Sequence, residues 1–464
     1  MKSSTVTSLV TSMVMMLPVF AALLAYLGFQ GRQVLLGVDL GTTFSSVAIR
    51  RPGGIVVAEG ASGRLGTPSM VAISDAGAWV VGDAAEAVLR REPSRGVYDF
   101  KRVLGRAAAG DAVVTAEAAR HGGRLVAHPA ATRNRVTGRA VTSAKQRAAC
   151  VSAPGDCAPD LAFSLAVPPA LPPAAATRLA AHACVDVGSL VGGAGVGAAR
   201  RLLLTPQAAS CLVAEQLRLA AERELGFRAL KGMAAAPTDF DAAQRFATLE
   251  ALERAGLKVT RLLHEPTAAA IAYGLHKRPD VHKVLVFDFG GGTLDVSLLF
   301  LARGAFTVIG TAGDNTLGGE DVDDCLAEVL VPTAERGGAG GCAPLALSSE
   351  AERVKIAFSG SGGEGGGART VGWACGAARG GVVKREQFEA ACAHLFDRAM
   401  APVRQALEGA SVSPGEVDEV VLVGGSSRLP AVRERLRALF GGRELRSSVD
   451  PDLAVAIGAA ASGD

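Results

Sequence analysis

Val34 to Ile49 reads VLLGVDLGTTFSSVAI, and Val284 to Leu299 reads VLVFDFGGGTLDVSLL. Each is an apolar run ending in an aspartate, followed by a Gly/Thr turn and a second β-prone run, and each predicts strand–turn–strand. Asp39 and Asp288, the two strand-end aspartates, stand about 250 residues apart. Spacing on that scale points to two related lobes rather than a short-period solenoid. Helical patterns fill the intervals. Ala208 to Glu224 is amphipathic, Asp241 to Gly256 carries an N-cap and a Gly stop, and Arg385 to Glu408 is a further long stretch. Strands alternating with helices indicate an α/β protein.

The 464 residues carry 48 Lys and Arg against 45 Asp and Glu, a net charge of +3. Near-neutral balance without long charge runs argues against bulk electrostatic binding of nucleic acid. Hydrophobic residues make up 49% of the chain, enough for a large core, and 57 Gly fall short of a low-complexity composition. A polytopic membrane protein and a fully disordered chain are excluded. From Met13 to Phe29 the sequence MVMMLPVFAALLAYLGF has no charge, which predicts a signal peptide or N-terminal anchor within residues 1–31. The following chain is then expected in a secretory compartment. Eight cysteines form no C-x-x-C pair, so zinc and thioredoxin-like chemistry are not expected. Buried thiols with at most one adventitious bridge are. Two stretches read as loop or weakly ordered material: His121 to Arg201, a candidate insert or gene-model artefact, and the Gly-rich Gly337 to Gly381.

Chemistry concentrates in three glycine turns. In Asp39-Leu40-Gly41-Thr42-Thr43-Phe44, the backbone N–H groups of a tight turn make an anion nest and the hydroxyls add donors. The strand-end carboxylate suits a hydrated Mg²⁺ beside phosphate. In Asp288-Phe289-Gly290-Gly291-Gly292-Thr293-Leu294-Asp295, three glycines between apolar strands weaken the strands and make sense where a ligand lies against bare backbone. Two such turns can clamp a polyphosphate between lobes. The third, Val421 to Pro430 (VLVGGSSRLP), places Gly424, Gly425, Ser426 and Arg428 ahead of a helix start suited to an anion or nucleoside. No G-x-x-x-x-G-K-[ST] run occurs and no Ser/His/Asp arrangement stands out; His264 reads as a packing residue.

Taken in this order and spacing, the turns resemble the nucleotide-binding domain of the heat-shock protein 70 (stress-70) family, of the actin/hexokinase-like ATPase fold. Tyr98 to Arg102 with Gly105, Leu263 to Ala270 (LHEPTAAA), Ala312 to Asp314 with Leu317 to Asp321 (LGGED), and Val449 to Asp452 are similar to further family segments. The likeness runs from Leu35 to Ala460, weakly through 106–204 and 330–384. It implies a two-lobed α/β fold with a nucleotide cleft, lobe I at about 32–283 plus 445–464 and lobe II at about 284–444. A leader followed by an ATPase domain without a substrate-binding domain is similar to the truncated microsomal stress-70 members. That likeness implies the endoplasmic reticulum lumen.

The resemblance also implies roles. Asp39 and Asp288 would orient Mg²⁺ through its waters, with Asp295 and Glu265 completing the shell around water, Mg²⁺ and K⁺. Gly41, Thr42, Thr43, Phe44 and the Gly290, Gly291, Gly292, Thr293 backbone would hold the β- and γ-phosphates of ATP or ADP. Lys101 would neutralise charge developing on the γ-phosphoryl group. Gly318, Gly319, Glu352, Lys355, Ser359, Gly424, Gly425, Ser426, Arg428 and Asp452 would bind the rest of the nucleotide. Expected partners are nucleotide and co-chaperone or nucleotide-exchange proteins, with membrane contact only through an uncleaved leader. The chain departs from the family pattern at Ala236-Pro237-Thr238, and at Ile356, where an arginine commonly stacks on adenine. Two other functions fit the residues: a nucleotide-dependent scaffold with little hydrolysis, and a small-molecule kinase of the same superfamily.

Overall fold

The two hairpin segments fold alike. In the computed structural model Leu36–Asp39 pairs antiparallel with Phe44–Arg51, and Lys283–Phe289 pairs antiparallel with Leu294–Ala302. Each first strand also has a parallel neighbour on its other side, Lys231–Ala236 in one case and Glu419–Val423 in the other. Each second strand has an antiparallel one, Gly54–Val57 or Ala305–Asp314. The repeat read from two stretches of sequence is thus a repeat of sheet topology, and it brings two Asp-tipped strands to one cleft. The structure describes residues 16, 18, 34–106, 111–134, 157–169, 171–185, 190–191, 200–229, 231–331, 344–359, 370–375 and 379–463. Residues 1–31 lie outside that description apart from positions 16 and 18, so the leader expectation does too.

Among the described residues the three largest apolar cores follow from this layout. One gathers Leu36, Ile49, Phe163, Leu204 and Leu212 around the first hairpin. A second gathers Leu285, Phe287, Phe289, Val354, Phe388 and Leu422 around the second. A third, with Ala235, Ala268, Val284, Val421, Ala454 and Ala459, joins the two sheets through the helices Glu265–Ala272 and Ala454–Ala461. Burying apolar area on both faces of each hairpin fixes where the strand ends, and hence the aspartates, can sit.

Five expectations change. Pro206–Leu225 is a helix, but its Ala-rich first half is buried on every side rather than along one stripe. The stretch Arg385 to Glu408 is three short helices, Arg385–Ala391, Ala393–Arg398 and Met400–Gly409, broken at Cys392 and Ala399. Much of the described part of 121–201 is regular structure rather than loop. Leu125–Asn134, Cys157–Ala166, Leu190–Val191 and Arg201–Leu204 form a four-stranded sheet, and Leu161, Phe163 and Leu165 join the core, with Ala162 and Ser164 between them buried as well. The Ala and Pro content masks that strand; residues 135–156, 170, 186–189 and 192–199 lie outside the description. Within 337–381, Pro344–Ser359 is helical and Thr370–Cys375 pairs with Arg379–Lys384, while the glycine runs at 337–341 and 360–367 lie outside the described residues. The cysteines also differ: among the described residues Cys184 bonds Cys211 and Cys325 bonds Cys392, two bridges where at most one was expected. Sequence spacings of 27 and 67 residues hide pairs that only the fold brings together. The helix Ala242–Arg254 is as expected, with a capping box between Asp241 and Gln244 and Gly256 at positive φ.

Candidate functional site

The strand ends face each other across a cleft of about 1120 Å³. It is lined by all the residues expected to hold nucleotide or metal except Gly318. Gly318 instead lies under the second turn, where a Cβ would come within 2.2 Å of the Gly291 carbonyl oxygen. The turns are tied to one another. Ser426 Oγ donates to the Gly290 carbonyl at 2.9 Å, and the Gly319 and Glu320 amides donate to the Gly290 and Gly291 carbonyls at 3.0 and 2.8 Å. The first turn is held from below by Ser69, whose amide donates to Thr43 O at 2.7 Å and whose hydroxyl donates to Gly41 O at 2.8 Å. At Gly291 a Cβ would stand 2.0 Å from Thr43 Oγ1 of the opposite lobe. Glycine there lets the two turns approach, besides baring backbone to a ligand. Thr43 Oγ1 is buried against Gly291 without a hydrogen-bond partner.

Lys101 and Glu265 meet at the cleft floor. Lys101 sits in the short 3₁₀ turn Phe100–Val103 and Glu265 opens the helix Glu265–Ala272. Lys101 Nζ donates to Glu265 Oε1 at 2.8 Å, with side chains only 13% and 10% exposed. Burial pulls the lysine down, but Glu265 and Asp39 outweigh it and hold the ammonium above its ordinary range. Burial, then the charge of Glu265, pushes Asp39 up to about 7. Asp288 is held well above the carboxylate range by burial and by Glu265, Asp295 and Asp39. Asp295 rises to about 7 through burial, Asp239 and Glu265, although Thr293 Oγ1 donates to it at 3.2 Å. Four carboxyls around one lysine leave an excess of negative charge, and an all-oxygen donor set of this kind suits a hard divalent cation.

At the other end of the cleft, Lys355 Nζ donates to Asp323 Oδ2 at 2.6 Å and to Gly319 O at 2.9 Å. Ser359 Oγ bonds its own helix at Lys355 O. Arg428 is paired with Asp450 and, at 3.0 Å, with Asp452. Ile356 is 58% exposed on the same rim. Sequence reasoning gave no role to Asp323, although it lies one helical turn beyond Gly319 and so on the same face. It also missed Arg102, whose guanidinium donates to Gly292 O at 2.7 Å and to Asn315 O at 3.1 Å.

A family model described as Hsp70 protein matches residues 35–151 and 187–464. The chain belongs to the Hsp70 family. It is 35% identical over 443 residues to "Heat shock 70 kDa protein BIP3" of Oryza sativa subsp. japonica, an alignment covering 92% of this chain and 56% of that protein. The chain therefore spans little more than half the length of that relative. Both sides of the cleft lie inside the family match, and the mixed α/β architecture described above is that of the actin/hexokinase-like ATPase fold.

Proposed function

We propose that this Hsp70-family chain binds Mg·ATP between its lobes and hydrolyses it slowly to ADP and phosphate. The observation that carries the reading is the Lys101–Glu265 pair set among the buried carboxyls of Asp39, Asp288 and Asp295 where two glycine turns meet. Asp39, Asp288 and Asp295 would hold Mg²⁺, which supplies charge neutralisation for the phosphates; K⁺ would share that shell. Backbone amides of Gly41 to Phe44 and Gly291 to Thr293 take the phosphate oxygens, while the Gly290 amide closes its turn on Thr293 O. Lys101, oriented by Glu265, stabilises negative charge that grows on the transferring group and positions the attacking water. Such catalysis is placement plus electrostatics in a water-poor site. Gly319, Glu352, Lys355, Ser359, Gly424, Gly425, Ser426, Arg428 and Asp452 enclose the nucleoside end.

The domain limits read from the sequence, a leader over 1–31 and an ATPase domain over 32–464, are part of this proposal. So are exchange and co-chaperone partners that respond to lobe closure. A secretory-pathway location is supported by the apolar Met13 to Phe29 stretch and by the two disulfides, which persist in oxidising compartments. One observation favours the scaffold reading as a second: Ile356 stands on the base-facing rim while Arg428 is engaged by two aspartates, an arrangement that weakens the grip on a base. Phosphate release from Mg·ATP by purified residues 31–464 separates the two. Turnover that disappears in Lys101→Ala supports the ATPase, and nucleotide binding without turnover supports the scaffold.

A further inference from the structure

Away from the nucleotide cleft, metal-ligating side chains gather around the Cys184–Cys211 bridge of the first lobe. Cys211 and Glu215 stand four residues apart on the helix Pro206–Leu225, so both leave the same face of it. His182 and Cys184 lie just past the end of the helix Pro173–Ala180. Arg254 pins that segment by donating to the carbonyls of Ala183 at 3.3 Å and Cys184 at 2.7 Å. The ligand atoms of His182, Cys184 and Glu215 all lie within 4.8 Å of one another. His182 Nε2 is 3.4 Å from Glu215 Oε2. That is long for a hydrogen bond, but it is about the N···O edge of a tetrahedron whose metal–ligand bonds are ~2.0–2.1 Å. The other oxygen of Glu215 is 3.9 Å from Arg218, which is held more closely by Glu222 and the Ala255 carbonyl. Both sulfurs are buried, while His182 and Glu215 are 31% and 27% exposed and give an ion its way in.

We infer that, once this bridge is reduced, Cys184, Cys211, His182 and Glu215 bind one Zn²⁺, which replaces the disulfide as the cross-link between segment 182–184 and the helix Pro206–Leu225. A dithiol reductant supplies the electrons: its two thiol hydrogens pass to the bridge, giving two Cys–SH groups, and it closes to its own disulfide. Zn²⁺ then displaces both thiol protons to solvent and is held by two thiolates, one imidazole and one carboxylate. Two sulfur ligands and an imidazole select zinc over magnesium or calcium. With Cα atoms 5.5 Å apart, both sulfurs stay within reach of one ion after the bond between them opens. In the oxidised chain the sulfurs are spent on each other, and His182 with Glu215 alone makes too small a set for tight binding. Coordination through Nε2 places the ring proton on Nδ1, so the Cys184 amide that donates there at 3.2 Å turns away on binding. None of the four residues lines the nucleotide cleft, so the site stands whether or not nucleotide binds.

The test is Zn²⁺ binding by the full chain, read against a competing chromophoric chelator. Parent protein reduced with a phosphine, and then freed of it, should bind one Zn²⁺ with a Kd below about 1 μM. His182→Ala and Glu215→Gln should each weaken that binding at least ~10-fold, and the oxidised parent should bind at least ~100-fold more weakly. Tight binding unchanged in both variants would put the metal on other thiols and overturn the site. So would equal affinity in the oxidised and reduced parents, or no binding in the reduced one. Reduction also opens Cys325–Cys392, so a second arm avoids it. Cys211→Ala frees the Cys184 thiol without reductant and leaves His182 and Glu215 beside it. That variant should bind Co²⁺ with a thiolate-to-cobalt charge-transfer band, and adding His182→Ala should abolish the band. A folded Cys211→Ala chain without the band, or a band indifferent to His182, would contradict the assignment.

Discussion

Asp288 and Asp295 stand directly opposite each other in the antiparallel hairpin, so both carboxyl groups project from the same face of the sheet into the cleft. Like charges at facing positions weaken a strand pair. Leu294 and Val296, the neighbours of Asp295, are buried apolar residues that would stabilise the hairpin equally well without a second acid. The pairing makes sense as a cation site kept at a cost to the ligand-free fold.

Asp295→Asn should therefore raise the ligand-free stability by about 0.5–1 kcal/mol while weakening the extra protection given by Mg·ADP. Urea unfolding with and without Mg·ADP reads both. A variant that loses stability without ligand, or that keeps the full Mg·ADP protection, contradicts the cation assignment.

pH follows from the same groups. Asp39 and Asp295 titrate near 7 when folded against an ordinary value of 3.8. Between those values the folded chain holds more protons than the unfolded one, so stability from these groups is complete below about pH 4 and is lost as pH rises through 7. Ligand-free protein is expected to melt higher at pH 5.5 than at pH 8. Mg·ADP binding needs the carboxylates, so it should weaken as pH falls below 7 and release protons in calorimetry. A melting temperature that climbs steadily from pH 5.5 to 8 without ligand would contradict the shifts.

The rim at Ile356 predicts a gain of function. An arginine there would offer its guanidinium plane to a base, worth about 0.5–1 kcal/mol at an exposed position. Ile356→Arg should tighten ADP binding two- to fivefold by titration calorimetry. Unchanged affinity would show that the base does not lie on this side chain.

Reduction tests the bridges. Loops of 27 and 67 residues correspond to about 3.5 and 4.4 kcal/mol of unfolded-state chain entropy. Cys325–Cys392 also ties the helix that carries Gly319 and Asp323 to the break between two helices. Cys392→Ser should lower the melting temperature and speed ADP release, and dithiothreitol should do the same to the parent chain. Identical melting curves with and without reductant would exclude both bridges.

What the sequence made legible was whatever is local. The Asp-Gly-Thr hairpins, the Asp241 cap and the Gly-Gly-Ser-Ser-Arg turn each carry their physics within about ten residues, and they disclosed the repeat and the three glycine turns of the cleft, while Lys101, Glu265, Glu352 and Lys355 came from the family resemblance and much of the remaining lining was not read. The lost parts depend on distant partners. Cys325 and Cys392 are separated by two helices and a strand pair, and Arg102 reads as a solvated cation until Gly292 and Asn315 are brought to it. Phe163 and Leu165 are hidden by alanine and proline because a short strand buried on both faces shows no alternation to read, and only its neighbours on either side reveal it. Gly318 matched a motif, yet its neighbour is the Gly291 carbonyl rather than open cleft.

The central claim is that Lys101, held by Glu265, serves the chemical step. Single-turnover hydrolysis of preformed Mg·ATP complex, comparing the parent with Lys101→Ala, measures that step directly. The account predicts a loss of about 10²–10³-fold in rate, with ADP affinity within about fivefold of the parent. Equal rates in the two proteins would contradict it.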